Sequence, residues 1–247
     1  MNEEIKSNLE YLFNINYNNI KSISFEKIID DIIIEEAETY TINVDDDSVT
    51  QGLREIEITK LLNAKNNSEL ITAFENVKKM KFDEKEIIAE FKTEILNSIT
   101  QLRNKIDSEN KGFKNQIIFL EYDYEPRAYF CGFGKGDYPI LKKPEYFEFN
   151  FREELYAGIG KVDYSKIWKK LTSINEILED IDIDQLVWES ELYQNLRNSI
   201  KFKTYLLLNK AFEEIGIKSF KGIEIEKPLM IYGNERICEP INIYSYE

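Results

Sequence analysis

Seven carboxylates in two short stretches have the types and spacing for chemistry. Glu121, Asp123 and Glu125 occupy alternate positions of FLEYDYEP. In a strand, that period of two sends them to one face, with Ile118, Leu120, Tyr122 and Tyr124 on the other. Carboxylates held this way can receive a basic protein surface, or act as acid and base on a glycoside if a cleft pairs them. Asp180, Asp182 and Asp184 follow the pattern D-x-D-x-D, with Glu191 at the twelfth position. This is the oxygen-ligand order of an EF-hand calcium loop. Two departures count against it: Gln185 stands where the loop turn needs glycine, and Ile181 and Ile183 fill positions that are ordinarily polar or flexible. The plainer expectation is an acidic helix start, with Asp184 capping and Asp182 favoured by the helix dipole.

Other chemistry is excluded by residue type. The chain has no histidine, which removes the commonest general base near neutral pH and every Ser-His or Cys-His nucleophile pair. An enzyme built from these residues would be left with carboxylate, lysine or tyrosine chemistry, or a metal held by oxygen. Gly132, Gly134 and Gly136 with Lys135 match neither G-x-G-x-x-G nor the Walker spacing. Cys131 and Cys238 are far apart and outside any C-x-x-C spacing, as two reduced thiols of a cytoplasm would be. Trp168 and Trp188 lie beside Ile167 and Val187 in helical patterns and are expected in the core. No cofactor is expected.

Lys and Arg number 32 against 46 Asp and Glu, a net charge of −14. Such a field repels nucleic acid and anionic membrane and steers basic proteins inward. MNEEIKSNLEYLF has two glutamates before any apolar run, so no secretory leader is expected. No stretch reaches eighteen uninterrupted apolar residues.

The elements that must position these residues follow from periodicity. Residues 1–111 are glycine-poor, without proline, and read as mainly helical; residues 112–160 carry six of the ten glycines and three of the five prolines. Helical spacing joins Leu9, Leu12 and Phe13, then Phe25, Ile28, Ile29 and Ile32, with Ser24 as cap. ETYTINV at 38–44 reads as a strand before a turn at Asp45, Asp46 and Asp47. Helices are predicted over 53–63 and 69–80. The strongest predicted helix runs from a capping box at Asp83 and Glu86, through Ile87, Phe91, Ile95, Ile99 and Leu102, to a stop at Gly112. QIIFLEYDY, a turn at Glu125 and Pro126, and RAYFCGF form a hairpin, and Tyr146 to Phe151 adds a third strand. Helices are predicted at 152–158, 163–172, 173–180 and 185–215, the last ending at Gly216. Short strands follow near 229–232 and 241–245, with Pro228 and Pro240 just outside them. The expected fold is α+β: a largely helical N-terminal half packed with an antiparallel β-meander and C-terminal helices. The expected regions are 1–111 and 112–247, as two or as one continuous domain.

The run IIFLEYDYEPRAYFCGF, the following YFEFNF, the helix around Trp168 and the closing PLMIYGNE resemble bacterial immunity-type proteins that neutralise polymorphic toxins. The resemblance implies an α+β protein that inhibits a toxin by direct binding, often through acidic or aromatic residues. The function expected is thus cytoplasmic protein binding to a basic partner, a toxin, through Glu121, Asp123 and Glu125, and not to nucleic acid or membrane. The alternative is a carboxylate-dependent hydrolase, with or without a divalent metal.

Overall fold

A computed structural model describes residues 1–42, 48–109, 114–123, 125–134, 139–142, 154–236 and 239–247, with the side chains of 36–42, 48–54 and 109 left aside. Within these residues the fold is α+β. Five helices come first: α1 (Asn2–Lys21), α2 (Phe25–Ile42), α3 (Ser48–Ala64), α4 (Ser68–Lys78) and α5 (Glu84–Glu109). Strands β1 (Asn115–Tyr122), β2 (Arg127–Phe133) and β3 (Glu154–Asp163) follow, then helices α6 (Ser165–Asp180), α7 (Asp184–Trp188) and α8 (Glu191–Ile215). A 3-10 turn (Ile217–Phe220) leads to β4 (Ile225–Glu235) and β5 (Ile241–Tyr246).

The caps read at Ser24 and Asp83 form where expected. Ser24 Oγ accepts the Lys27 N–H at 3.2 Å, and Asp83 Oδ1 accepts the Glu86 N–H at 3.0 Å, each satisfying an amide that has no partner inside its helix. The predicted apolar stripe of α5 is buried at Ile87, Phe91, Ile95, Ile99 and Leu102.

Four local expectations are corrected. Residues 38–42 are the end of α2 and not a strand. Extending a helix already anchored by buried Phe25, Ile28, Ile29 and Ile32 costs less than starting a new element, so propagation overrides the β-branched run. Residues 154–158 belong to β3 and not to a helix, and Gly158 and Gly160 take φ of 69° and 67°, which a helix interior does not admit. Residues 165–180 are one helix, because the Thr172 and Ser173 hydroxyls donate to carbonyls one turn back instead of breaking it. The helix expected from 185 to 215 is broken before Glu191, where Ser190 Oγ accepts the Tyr193 N–H and caps α8. The expected features at Asp45, Asp46, Asp47, Gly112 and 146–151 lie outside the described residues.

The sheet has the order β3-β2-β1-β4-β5. Strands β1, β2 and β3 form an antiparallel meander, with its third strand at Glu154–Asp163 in place of the helix predicted at 152–158, and β4 runs parallel to β1, so the sheet is mixed and not antiparallel throughout. A parallel neighbour requires a long crossover, which α6 to α8 provide. Pro228 lies inside β4 and not outside it, at a register shift between Ile225 and Met230 where the ladder makes no use of its missing N–H.

The described chain divides into two compact units of discontinuous segments. One comprises Met1–Leu12, Phe82–Ile167 and Lys201–Glu247 and holds the sheet, α5 and most of α8. Its α8 segment is buried nearly all round, at Phe202, Tyr205, Leu207, Leu208, Ala211 and Phe212, as a central helix must be. The other unit, Phe13–Lys81 and Trp168–Ile200, is all-helical, with Phe25 and Phe74 in ring contact at 4.8 Å.

Candidate functional site

In the sheet unit, β1 leaves the ladder at Tyr122, turns at Glu125 and Pro126, and returns as β2 from Arg127. The ladder sets Glu121 directly opposite Tyr129. Arg236 follows the last residue of β4, and its N–H donates to the Tyr122 carbonyl at 2.8 Å, which brings its side chain beside Asp123. Glu121, Asp123 and Glu125 thus line one recess of about 320 Å³, completed by Tyr122, Arg127, Tyr129 and Arg236. The three predicted carboxylates come together, although only Glu121 sits on a strand, because β1 ends before Asp123. Tyr124 lies outside the described residues.

Two of these carboxylates are neutralised. Arg127 Nη1 bonds Glu125 Oε2 at 2.8 Å, and Arg236 Nη1 bonds Asp123 Oδ2 at 3.2 Å. Glu121 is half-buried, and its interaction is with the Cys131 thiol, two residues along β2. That thiol is buried, and its pKa is pushed up to about 11, first by burial and further by the Glu121 carboxylate, although a backbone N–H opposes the shift. Cys131 is therefore a packed thiol and not a nucleophile.

A second, larger cleft of about 660 Å³ lies along α5. Glu86, Glu90 and Glu94 recur every four residues along one side of α5, facing Asp163 at the end of β3 and Lys166 in the first turn of α6. The Lys166 ammonium bridges Glu86, at 2.7 Å, and Glu90. Glu94 Oε2 accepts the Asp163 N–H at 2.8 Å. Burial raises the Glu94 pKa above the ordinary carboxylate value, a shift that this hydrogen bond only partly opposes. Burial also pushes Asp163 upward, but hydrogen bonds from the Ser165 hydroxyl and N–H and from Lys161 more than reverse this and leave it lowered. Two neighbouring carboxylates are thus tuned in opposite directions. Sequence reasoning missed this pair: the Glu86, Glu90 and Glu94 row is legible as i, i+4, i+8, but Asp163 joins it only through the fold.

The predicted metal set is distributed over helix ends in the helical unit. Asp180 ends α6, Asp184 starts α7 and Glu191 starts α8. Asp182, at φ 55° in the intervening turn, pairs with Lys60. Ile183 is the N-cap of α7 and makes no side-chain cap bond, so Asp184 lies within the first turn and does not cap it. Among the described residues, no group of three or more Cys, Asp or Glu is placed to hold a metal ion. Trp168 is buried as expected and Trp188 is half-buried. Gly132 lies against the Tyr156 ring, where a Cβ would come within 2.1 Å of it. Close packing thus accounts for this glycine; Lys135, Gly136 and Cys238 lie outside the described residues.

No protein-family model, curated protein or solved structure matches this chain. Function has to be read from the chemistry of the two surfaces. The hairpin recess offers carboxylates, guanidinium groups and an exposed tyrosine, a composition suited to protein contacts. The α5 cleft offers one carboxyl with a raised pKa beside one with a lowered pKa, a combination suited to acid–base work.

Proposed function

We propose that this chain is a cytoplasmic protein-binding protein that docks a basic protein through the end of its β1–β2 hairpin. In the immunity-type form of this function, the partner is a toxin whose active surface the hairpin end covers. The observation that carries the proposal is the convergence of Glu121, Asp123 and Glu125 with Tyr129 and two arginines in one open recess. Tyrosine and arginine are the side chains that most often anchor interfaces, and carboxylates at the rim steer a basic partner toward them. The net charge of −14 disfavours nucleic acid and anionic membrane as partners, and no described helix is long and apolar enough to cross a membrane.

The test is capture from the native host with a tagged chain and two charge-matched variants, E121K/D123K/E125K at the hairpin and E179K/D180K/E191K in the helical unit. A basic protein retained by the wild type and the second variant but lost by the first supports the proposal. Equal retention by all three, or no retained protein, rejects it.

One observation favours a second reading, carboxylate-dependent hydrolysis: the opposite tuning of Glu94 and Asp163 in the larger cleft. Glu94 would donate a proton and Asp163 would serve as the ionised partner. Turnover of any glycoside or phosphate ester that E94Q abolishes, with the fold intact, would favour it. Docking is preferred because Lys166 already occupies Glu86 and Glu90, which narrows the space for a substrate.

A further inference from the structure

The charge pattern at the hairpin end distinguishes its three carboxylates. Asp123 and Glu125 are each paired with an arginine. Glu121 makes no ion pair among the described residues, although it is half-buried and therefore partly stripped of water. A carboxylate in that position gains more from an incoming cation than one already neutralised. Directly across the ladder stands Tyr129, which remains 40% exposed. Paired residues on one face of a sheet lie about 4.5–5.5 Å apart at Cβ, so one long side chain can touch both. The recess of about 320 Å³ is at the small end of ligand pockets, which run from about 300 to 1,000 Å³.

We propose that this recess is a subsite for a single lysine or arginine side chain of the partner protein, the cation held by Glu121 and its stem or guanidinium plane lying on the Tyr129 ring. This deepens the docking function proposed above and rests on it. Charge complementarity selects the occupant: with Arg127 and Arg236 engaged by Glu125 and Asp123, the open charge in the recess is negative. An aromatic face beside a carboxylate suits a cation with an apolar stem.

The test is an NMR titration of the ¹⁵N-labelled chain with N-acetyl-L-arginine amide and N-acetyl-L-lysine amide, using N-acetyl-L-norleucine amide as the uncharged control. The cationic probes should shift the amides around Glu121 and Tyr129 first, with a dissociation constant on the order of millimolar. E121Q should weaken them by about 5-fold and Y129A by about 2- to 5-fold, with Y129F close to wild type. Thermal melts of the variants establish that they are folded. Shifts spread evenly over the exposed carboxylates, equal binding of norleucine amide, or unchanged affinity in folded E121Q would each overturn the subsite. Failure of the subsite is distinguishable from failure of docking. If the probes show no such selectivity while E121K/D123K/E125K still loses the captured protein, the subsite falls and docking stands. If capture ignores those reversals, docking falls whatever the probes do.

Discussion

At the scale of single residues, the two glutamates of α5 with shifted pKa values make opposite predictions. Glu84 bonds Lys203 and Lys210, and these hydrogen bonds hold its pKa down to about 2 from 4.5. A depressed acid contributes stability above its unfolded pKa and loses it as pH falls through the folded value, so this contribution fades between about pH 4.5 and 2. The carboxylate is partly exposed, and solvent screening limits it to about 1 kcal/mol. Glu94 has the reverse sign: its raised pKa means that the folded state holds the proton more tightly, so its charge is a penalty near neutrality that is relieved as pH falls. Melting curves at pH 7 should place E84Q below the wild type and E94Q at or above it. The same direction of shift for both would refute these assignments. A third charge is buried outright. Lys201 pairs with Glu235 at 3.3 Å, and both are nearly inaccessible. Removing Lys201 takes the counter-charge away from a buried carboxylate, so K201M should cost about 3–5 kcal/mol in denaturant unfolding, while K201M/E235L should recover most of the loss.

At the scale of elements, what was legible in the sequence was whatever neighbouring residues determine. The Ser24 and Asp83 caps, the α5 stripe and the Glu125–Pro126 turn depend on residues within one or two turns of each other. Glu121, Asp123 and Glu125 were legible as a group for the same reason, since a five-residue span cannot separate them far. The missed features depend on distant partners. Strand β3 is a strand because β2 pairs with it, and Gly160 is fixed by α5: a Cβ there would lie 2.1 Å from Ser98 Oγ. The Lys161 and Asp163 amides donate to Ser98 Oγ and Glu94 Oε2, so α5 satisfies outward groups of this edge strand. G160A should therefore destabilise by about 2 kcal/mol or more, through the left-handed backbone and the clash together, and it should raise amide exchange along β3. Wild-type exchange in G160A would contradict this packing. The parallel placement of β4 and the Glu94–Asp163 pair were illegible for a related reason: nothing local records which strand lies beside β1 or which residue reaches α5.

At the scale of the whole molecule, the excess of acid acquires a location. A net charge of −14 steers any basic body toward the protein but does not orient it. Orientation needs a rigid, mixed patch. On the docking proposal the hairpin end would provide it: Arg127 and Arg236 pair with two of its carboxylates, and Glu121 and Tyr129 would discriminate the partner. The most direct test of docking at this end is the association rate of the captured partner with the wild type, E121K/D123K/E125K and E179K/D180K/E191K across a range of salt. The two variants carry the same net charge, so only position separates them. Docking at the hairpin predicts a wild-type rate that falls steeply with salt and, at low salt, a loss of about tenfold or more for the hairpin variant beyond that of its charge-matched control. Equal rates for the two variants would contradict it.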